Sequence, residues 1–173
     1  RSLLHKSLVT PQIRFAAPTL KYQLQPEDEA LLEALSNTDA VTIQQLSAAT
    51  GIPGATVDRR KRALEEQGVI RSYVYWIDSS MLGRQMYVFR ISTRGFPVGL
   101  RDKLFQFAAN ESLVVYALRT IGQWDFELGV EVSTAQQVSH MTQRIHDVFQ
   151  TDVVSVQPIP VVRYHKVVGY PKR

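Results

Sequence analysis

Apolar positions in the first half of the chain recur at helical spacing, between residues that start and stop helices. From Glu27 to Ser36 they follow an i, i+1, i+4, i+5 pattern behind acidic side chains, which favour a helix N-terminus. Thr42 is predicted to begin a second helix, because its hydroxyl can accept a free backbone N–H and Gln45 can complete a capping box. Gly51 ends that helix. Two short helices are therefore predicted in this region.

A third helix, from about Ala55 to Gln67, follows a Gly-Ile-Pro turn. Pro53 suits the start of a helix, since its missing N–H costs nothing there, and Gly68 ends the helix. Val57 and Leu64 lie seven positions apart and are predicted to face inward. Two short helices around such a turn are typical of a helix-turn-helix, whose second helix enters the major groove of DNA.

The third helix carries four consecutive basic residues, which are candidate DNA ligands. Arg59, Arg60 and Arg62 are predicted to lie largely outside the inward stripe, where guanidinium groups can pair with guanine edges or bind phosphates. Lys61 stands four residues after Val57 on that stripe, where its stem can pack while its ammonium reaches water. Residues 69–78, rich in β-branched and aromatic side chains, predict a strand that forms a wing. The predicted DNA-binding residues are Thr56, Arg59, Arg60, Arg62 and Arg71.

Beyond Leu82-Gly83, strand and helix patterns alternate in the order β-α-β-β-α-β. This order predicts a ferredoxin-like arrangement, an antiparallel sheet with both helices on one face. The predicted strands are residues 86–92, 113–120, 124–132 and 153–168, and the predicted helices are residues 97–109 and 134–149. A small isolated domain would struggle to cover both faces of such an apolar sheet, which predicts homodimerisation through it. The alternating apolar residues are Tyr87, Phe89, Ile91, Phe126, Leu128 and Val130.

The predicted fold class is therefore α+β, with two domains. Residues 26–80 form a winged helix-turn-helix, and residues 81–173 form a ferredoxin-like domain for effector binding and oligomerisation. Residues 1–25 contain two prolines and only a weak apolar alternation. We expect them to be an N-terminal arm or the remnant of a preceding domain.

Charge restricts where DNA can bind. The 173 residues carry a formal net charge of +4, and 45% of them are hydrophobic. Between residues 26 and 80, however, nine acidic residues outnumber five basic ones, 5 − 9 = −4, so any cationic surface must be a local patch on one helix. The chain has no cysteine, no apolar run of membrane-spanning length and no signal-peptide profile. We expect a cytoplasmic protein with no membrane association.

The four histidines do not indicate catalysis. His140 and His146 stand six apart on one predicted helix and so point to different faces, which argues against metal binding by the pair. His5 and His165, like them, have no carboxylate or nucleophile partner at a motif spacing. We therefore expect no enzyme, no metal and no cofactor.

From about Pro26 to Pro171 the chain resembles the Lrp/AsnC (feast/famine) family of transcriptional regulators. The motifs that carry the resemblance are VTIQQLSAATGIPGATV, LEEQGVIRSYVYWID, Leu82-Gly83 and TIGQWDFELGVEV. The last is similar to the family's Gly-Asp-Tyr-Asp turn between the second and third strands of the RAM-type ligand-binding domain. In that family the turn lies at the contact between dimers and contributes to an effector pocket, commonly for an amino acid. Gln123 stands where the family often has aspartate, and Trp124 where it often has tyrosine. The effector-binding residues that the resemblance implies are Thr120, Gly122, Gln123, Trp124 and Asp125.

The sequence thus predicts a sequence-specific DNA-binding transcriptional regulator. Its expected partners are double-stranded DNA, a small-molecule effector such as an amino acid, and a second copy of the chain in a homodimer or higher oligomer. A rival interpretation is a ligand-sensing or assembly module whose degenerate helix-turn-helix contacts protein, which the acidic balance, Asp58 and Lys61 favour. Siroheme decarboxylases resemble the same two-domain build, but their histidine-bearing strand and Tyr-Asn-Leu-Trp-type segment are missing from VVYALRTIGQWDFEL.

Overall fold

The computed structural model describes residues 22–73, 77–95, 97–165 and 169–170. The chain divides into two compact units, Arg1–Tyr75 with Lys166–Arg173, and Trp76–His165. This division falls a few residues before the predicted boundary at residue 80. Most of the predicted arm, residues 1–21, lies outside the described residues.

Three helices make up the first unit: α1 (Pro26–Asn37), α2 (Ile43–Thr50) and α3 (Gly54–Glu66). The predicted capping box of α2 is confirmed, because the Gln45 N–H donates to the Thr42 hydroxyl at 3.2 Å and the Gln45 side chain accepts the Thr42 N–H at 3.0 Å. Gly51 ends α2 at a φ of +72°, where a residue without Cβ is favoured. The core that joins the helices consists of Leu31, Leu32, Ala34, Leu46, Val57 and Leu64.

The segment after α3 does not form the predicted wing strand in its described residues. The backbone N–H groups of Val69 and Ile70 both donate to the carbonyl of Leu64, at 2.9 and 3.1 Å, and so close the end of the helix. Residues 69–73 and 77–78 consequently adopt bends and irregular backbone, and residues 74–76 lie outside the described residues. These two N–H groups are therefore used to terminate the helix and are not available to pair with a neighbouring strand.

The second unit begins with a short 3₁₀ helix, Ser79–Leu82, and continues as β1 (Gln85–Thr93), α4 (Leu100–Asn110), β2 (Val114–Arg119), β3 (Phe126–Val132), α5 (Ala135–Phe149) and β4 (Val153–Pro160). The sheet order is β2-β3-β1-β4, and every neighbouring pair is antiparallel. This is the ferredoxin-like arrangement that the element order predicted. The helix α4 begins at Leu100 rather than at residue 97, after Gly99 at a φ of +87°. The strand β4 ends at Pro160, and residues 161–164 are irregular.

The apolar residues that predicted a dimer through the sheet lie on one face of it, the face that the helices already cover. The β1–β3 register places Tyr87 opposite Val130, Phe89 opposite Leu128 and Ile91 opposite Phe126. Phe89, Ile91 and all three β3 partners are fully buried with α4 and α5 in one core, against which Tyr87 packs. Directly opposed residues of an antiparallel pair share a face, so these six residues say nothing about the other side. Inferring an uncovered face from them was wrong.

The open face of the sheet is of mixed character. Its β1 positions are Met86, Val88 and Arg90, its β3 positions are Glu127, Gly129 and Glu131, and its β2 positions are Tyr116 and Leu118. Among the described residues, no helix is both long enough and apolar enough to cross a membrane.

Candidate DNA-binding helix and effector turn

The surface of α3 that lies away from the core is small and cationic near its middle. Val57 and Leu64 are buried, and one residue of a helix turns by about 100°. The positions roughly opposite them are Ala55, Arg59, Arg62 and Glu66, and all four are exposed. This arc is what the first unit can offer to a groove, and it contains two of the four consecutive basic residues.

Arg59 and Arg62 differ in how they are held. Arg62 pairs with Asp58 at 2.9 Å, one turn earlier, with 70% and 42% of the two side chains exposed. Such a surface pair contributes roughly 0 to 1 kcal/mol, so a phosphate can replace the carboxylate at small cost. Arg59 has no ion-pair or hydrogen-bond partner among the described residues. Both guanidinium groups are accordingly available to an anionic partner.

Arg60 does not lie where the sequence interpretation placed it. It stands three residues after Val57 and four before Leu64, so it flanks the inward stripe just as Lys61 does. Its guanidinium lies 3.6 Å from the carboxylate of Asp28 and 3.8 Å from that of Glu27, both on α1, and 22% of the side chain is exposed. The prediction that Arg60 lies outside the inward stripe was therefore wrong.

Lys61, which was predicted to lie on the stripe with its ammonium in water, lies on the other flank of the stripe, and its ammonium is paired. It donates to Glu65 Oε1 at 2.8 Å, the Tyr73 hydroxyl donates to the same oxygen at 2.7 Å, and the ammonium lies 4.9 Å from the centre of the Tyr73 ring. The hydrogen bond with Glu65 raises the pKa of Lys61 and lowers the pKa of Glu65. Burial raises the pKa of Tyr73. Lys61 thus holds the segment after α3 against the helix.

The other two predicted DNA ligands lie outside the α3 arc. Thr56 is half-buried near the start of α3, and Arg71 is exposed in the irregular segment that follows the helix. Arg71 was predicted to lie on the wing strand, and that strand is absent from the described residues.

The turn between β2 and β3 contains the five predicted effector-binding residues, and most of its polar groups bond to one another. The Thr120 hydroxyl donates to the carbonyl of Trp124 at 2.6 Å, and the Thr120 N–H donates to the carbonyl of Asp125 at 2.8 Å. Gly122, at a φ of +151°, and Gln123 lie exposed at the tip. The turn is therefore a closed hydrogen-bonded loop with an accessible apex.

The carboxylate of Asp125 ties this turn to the end of β1. Its Oδ2 accepts the Thr93 N–H at 2.7 Å and the Thr93 hydroxyl at 2.8 Å. The Asp125 N–H donates to the carbonyl of Ile91 at 2.9 Å. An oxygen that already accepts two donors is a structural clasp, and we assign it no ligand. Thr93 was not singled out in the sequence, because only the β1–β3 pairing brings it to Asp125.

Trp124 lies under an arginine of the open sheet face. The guanidinium carbon of Arg90 is 3.8 Å from the centre of the indole, and its Nε is 4.0 Å from Glu127 Oε2. The indole Nε1 is buried, with no hydrogen-bond acceptor in the described part of the chain. Arg90 and Glu127 are opposed in the β1–β3 register, so knowledge of the pairing was needed to find them. The stacked indole of Trp124 thus packs between the β2–β3 turn and Arg90 of the sheet.

Tyr116 extends this polar network across the open face. Its hydroxyl donates to Glu127 Oε1 at 3.0 Å, and burial raises the pKa of Tyr116 well above its usual range. The ring lies over Gly129, where a Cβ would overlap it and would also come within 2.7 Å of the Met86 methyl. Gly129 is therefore required for the close approach of the ring.

The described ranges contain no group of three or more histidine, cysteine, aspartate or glutamate side chains placed to hold a metal ion. Among the described residues, the candidate surfaces for DNA and for an effector are the outward arc of α3 and the exposed tip of the β2–β3 turn.

Comparison with known proteins agrees with this architecture. The model of the IclR helix-turn-helix domain matches residues 30–72. Two curated relatives are regulators. The HTH-type transcriptional regulator FL11 of Pyrococcus horikoshii is 22% identical over 147 residues, which cover 85% of this chain and 95% of that protein. The glutamate uptake regulatory protein of Zymomonas mobilis is 24% identical over 147 residues, which cover 84% and 90%.

Solved structures share the fold over nearly their whole length. An AsnC family transcriptional regulator from Agrobacterium tumefaciens matches with a TM-score of 0.72 at 20% identity, over 86% of this chain and 97% of that one. A Neisseria meningitidis transcriptional regulator, solved in complex with L-Met, matches with a TM-score of 0.72 at 19% identity, over 85% and 95%. The chain therefore has the fold of these AsnC-type transcriptional regulators. The relatives are described as regulators, which agrees with the expectation that the chain is not an enzyme.

Proposed function

We propose that this chain is a transcriptional regulator of the Lrp/AsnC type, and that it binds DNA sequence-specifically by placing the outward arc of α3 in the major groove. The observation that carries the proposal is the pair of exposed guanidinium groups of Arg59 and Arg62 beside the small side chain of Ala55. The major groove of B-DNA admits an α-helix, and arginine is the usual partner of guanine. Arg71 supplies a phosphate contact, and Thr56 contacts the groove edge. Arg60 is left out of the DNA-binding set because α1 carboxylates hold it.

The test is a selection from a random-sequence duplex pool, followed by a salt titration of the selected site. Each phosphate contact that is lost should lower the slope of log K against log salt by about 0.9. We expect Arg59→Gln and Arg62→Gln each to weaken binding, whether by a smaller slope or by relaxed base preference. A matched control is Arg101→Gln, because Arg101 is an exposed arginine in α4 that also pairs with a neighbouring carboxylate, Asp102, at 2.8 Å.

The outcome also decides between the two interpretations of the helix-turn-helix. Binding that is absent at low salt, or unchanged by both substitutions in α3, would refute the proposed DNA contacts. Absent binding would also favour the rival interpretation, an assembly module with a degenerate helix-turn-helix. Arg59 is compatible with DNA binding, because its exposed guanidinium has no partner among the described residues and can pair with a phosphate or a guanine edge.

We further propose that two copies associate through the open sheet face. The support is its mixed composition: Tyr116, Leu118 and Val88 supply apolar area, while Arg90 and Glu127 supply charges of both signs. In a two-fold interface the same patch meets itself, so a patch with both signs can be self-complementary. Tyr116 and Arg90 both contact Glu127, and Arg90 stacks on Trp124, so an interface at this face would lie beside the indole of Trp124.

Sedimentation equilibrium tests the association. Leu118 is 45% exposed on this face, and Leu118→Glu should convert a dimer to a monomer. The control is Val98→Glu, because Val98 is fully exposed in the turn before α4 and away from the sheet. A monomeric wild type, or a dimer that survives Leu118→Glu, would refute an interface at this face.

The effector proposal is confined to the tip of the β2–β3 turn. Gln123 and the backbone of Gly122 are exposed there beside the indole of Trp124, whereas the Thr120 hydroxyl and the Asp125 carboxylate are already engaged. A structural neighbour was solved with L-Met. We therefore propose a small polar ligand, with an amino acid as the first class to test. Thermal shift with L-methionine, L-leucine and L-glutamate on the wild type and on Gln123→Ala provides the test, and no shift with any of them would refute the amino-acid class.

A further inference from the structure

The buried carboxylate of Asp28, near the start of α1, contacts both the segment that precedes α1 and the helix α3. Asp28 is 0% exposed. Its Oδ2 accepts the Gln25 N–H at 2.9 Å and the Tyr22 hydroxyl at 3.3 Å, and lies 3.6 Å from Arg60 Nη1. The other amino group of Arg60 lies 3.8 Å from Glu27. Arg60 is thus the only described cation paired with a fully buried carboxylate of this unit.

Breaking the ion pair between Arg60 and Asp28 is energetically costly. An isolated charge in the protein interior is costly, and Asp28 Oδ1 already has no hydrogen-bond partner within the described part of the chain. The Arg60 Nε is likewise buried without an acceptor there. If Arg60 left for a DNA base, the Asp28 carboxylate would lose its counter-charge while remaining out of water. Arg62, by contrast, leaves a carboxylate that is exposed to solvent.

The contact also fixes the rotation of α3 about its own axis. The apolar contacts of α3 with α1 come through Val57 and Leu64, and apolar packing alone is non-directional. The Arg60 contact lies on one flank of that stripe, whereas Arg59 and Arg62 lie on the opposite side of the helix. A rotation that broke the contact would turn the outward arginines with it, because all are on one rigid helix.

We propose that Arg60 is a positioning residue, which sets the rotation of the reading helix through Asp28 and does not touch DNA. The proposal rests on the DNA-binding function proposed above. Substitution of Asp28 distinguishes a positioning role of Arg60 from a direct DNA contact, because the Asp28 side chain is buried on another helix and cannot itself reach DNA. If Arg60 acts through Asp28, neutralising either residue has the same consequence for DNA binding. If Arg60 contacts DNA, neutralising Asp28 frees its guanidinium.

The experiment compares Asp28→Asn, Arg60→Gln and the double variant on the selected DNA site, by fluorescence anisotropy. The temperature is kept well below each unfolding midpoint, as followed by circular dichroism, so that lost stability alone does not alter the affinity of the folded protein. We expect each single variant to raise Kd by about tenfold, which corresponds to ~1.4 kcal/mol, and the double variant to be no weaker than either. Arg60→Lys, which keeps the charge, should recover part of the affinity.

Three results would overturn the proposal. These are an unchanged or lower Kd for Asp28→Asn beside a raised Kd for Arg60→Gln, effects that add in the double variant, and unchanged affinity of both folded single variants. If Asp28→Asn does not fold, the wild type provides a second measurement. In the NMR spectrum, adding DNA should shift the Nε–Hε signals of Arg59 and Arg62 but not that of Arg60, and a large shift for Arg60 would overturn the proposal.

A failure of the DNA-binding proposal can be told apart without DNA. The chain contains no cysteine, so spin labels can be placed on cysteines introduced at Asn37 of α1 and Glu66 of α3. Electron–electron distance measurements should show a single narrow distribution, and Asp28→Asn or Arg60→Gln should broaden or displace it. If the wild type does not bind DNA but the variants broaden or displace the distance distribution, the DNA-binding function is refuted and the positioning role of Arg60 is retained. An unchanged distribution in both variants would overturn the positioning role.

Discussion

Replacing Asp125 with alanine separates a structural clasp from a ligand-binding carboxylate. The resemblance to the Lrp/AsnC turn made Asp125 a candidate effector residue, but its Oδ2 accepts both the N–H and the hydroxyl of Thr93, at 2.7 and 2.8 Å. Asp125→Ala deletes both bonds and leaves the Thr93 N–H without its acceptor. We therefore expect a loss of stability in the second unit whether or not an effector is present.

The size of the loss follows from the two bonds. A hydrogen bond to a charged group contributes about 1.5 to 3 kcal/mol, and Asp125 is only half-buried, so the lower end applies to each bond. Asp125→Ala should therefore cost about 2 to 3 kcal/mol of unfolding free energy. For a unit of this size that corresponds to a fall in Tm of roughly 10 to 20 °C. Asp125→Asn keeps an acceptor oxygen and loses only the charge, so about 1 kcal/mol is expected.

Urea unfolding followed by tryptophan fluorescence measures these changes, because Trp124 precedes Asp125 and lies under Arg90. Gln123→Ala is the matched control, since its exposed side chain has no partner among the described residues, and it should change stability by less than about 0.5 kcal/mol. The clasp interpretation fails if Asp125→Ala unfolds within about 0.5 kcal/mol of the wild type while an amino-acid ligand no longer shifts its Tm.

Three further predictions concern packing and charge. Gly129→Ala should destabilise the sheet by about 1 to 3 kcal/mol in urea unfolding, because the added Cβ displaces the Tyr116 ring; an unchanged midpoint would contradict the close packing. Leu46→Ala, at a fully buried site, should cost about 2 to 5 kcal/mol by circular dichroism, and a smaller loss would mean that the helices close over the cavity. The pKa of Glu65 is lowered from 4.5 by its hydrogen bond with Lys61. The contribution of Glu65 to the free energy of unfolding is therefore present above pH 4.5 and is lost as pH falls through the lowered pKa. The stability difference between wild type and Glu65→Gln should accordingly shrink below pH 4.5, and a difference that persists at pH 2 would refute the assignment.

Features that depend on near neighbours in the chain could be predicted from the sequence. The capping box of Thr42 and Gln45 needs only residues three apart, and both proved to bond as expected. Gly51 was placed correctly for the same reason, since a left-handed cap is a property of one residue. The order of strands and helices in the second unit likewise follows from local periodicity, and it determines the ferredoxin-like topology.

Features that depend on a partner far along the chain were missed. Thr93 and Asp125 are 32 residues apart, and only the β1–β3 register joins them. The same register opposes Arg90 and Glu127 and thereby positions the indole of Trp124. Periodicity says which residues share a face of one strand, but the pairing decides which faces meet.

The charge balance of the first unit now has a physical explanation that supports a single cationic patch. Acidic residues outnumber basic ones between residues 26 and 80, yet three of the four consecutive basic residues of α3 have acidic partners within the unit. Arg60 and Lys61 flank the inward stripe and are held by α1 carboxylates and by Glu65, so those carboxylates contribute little repulsion to an approaching phosphate. Arg62 is held only by an exposed carboxylate, and Arg59 by none. The negative formal charge is therefore compatible with an outward arc that attracts DNA, and the salt dependence of binding should reflect the two outward arginines far more than the net charge of the unit.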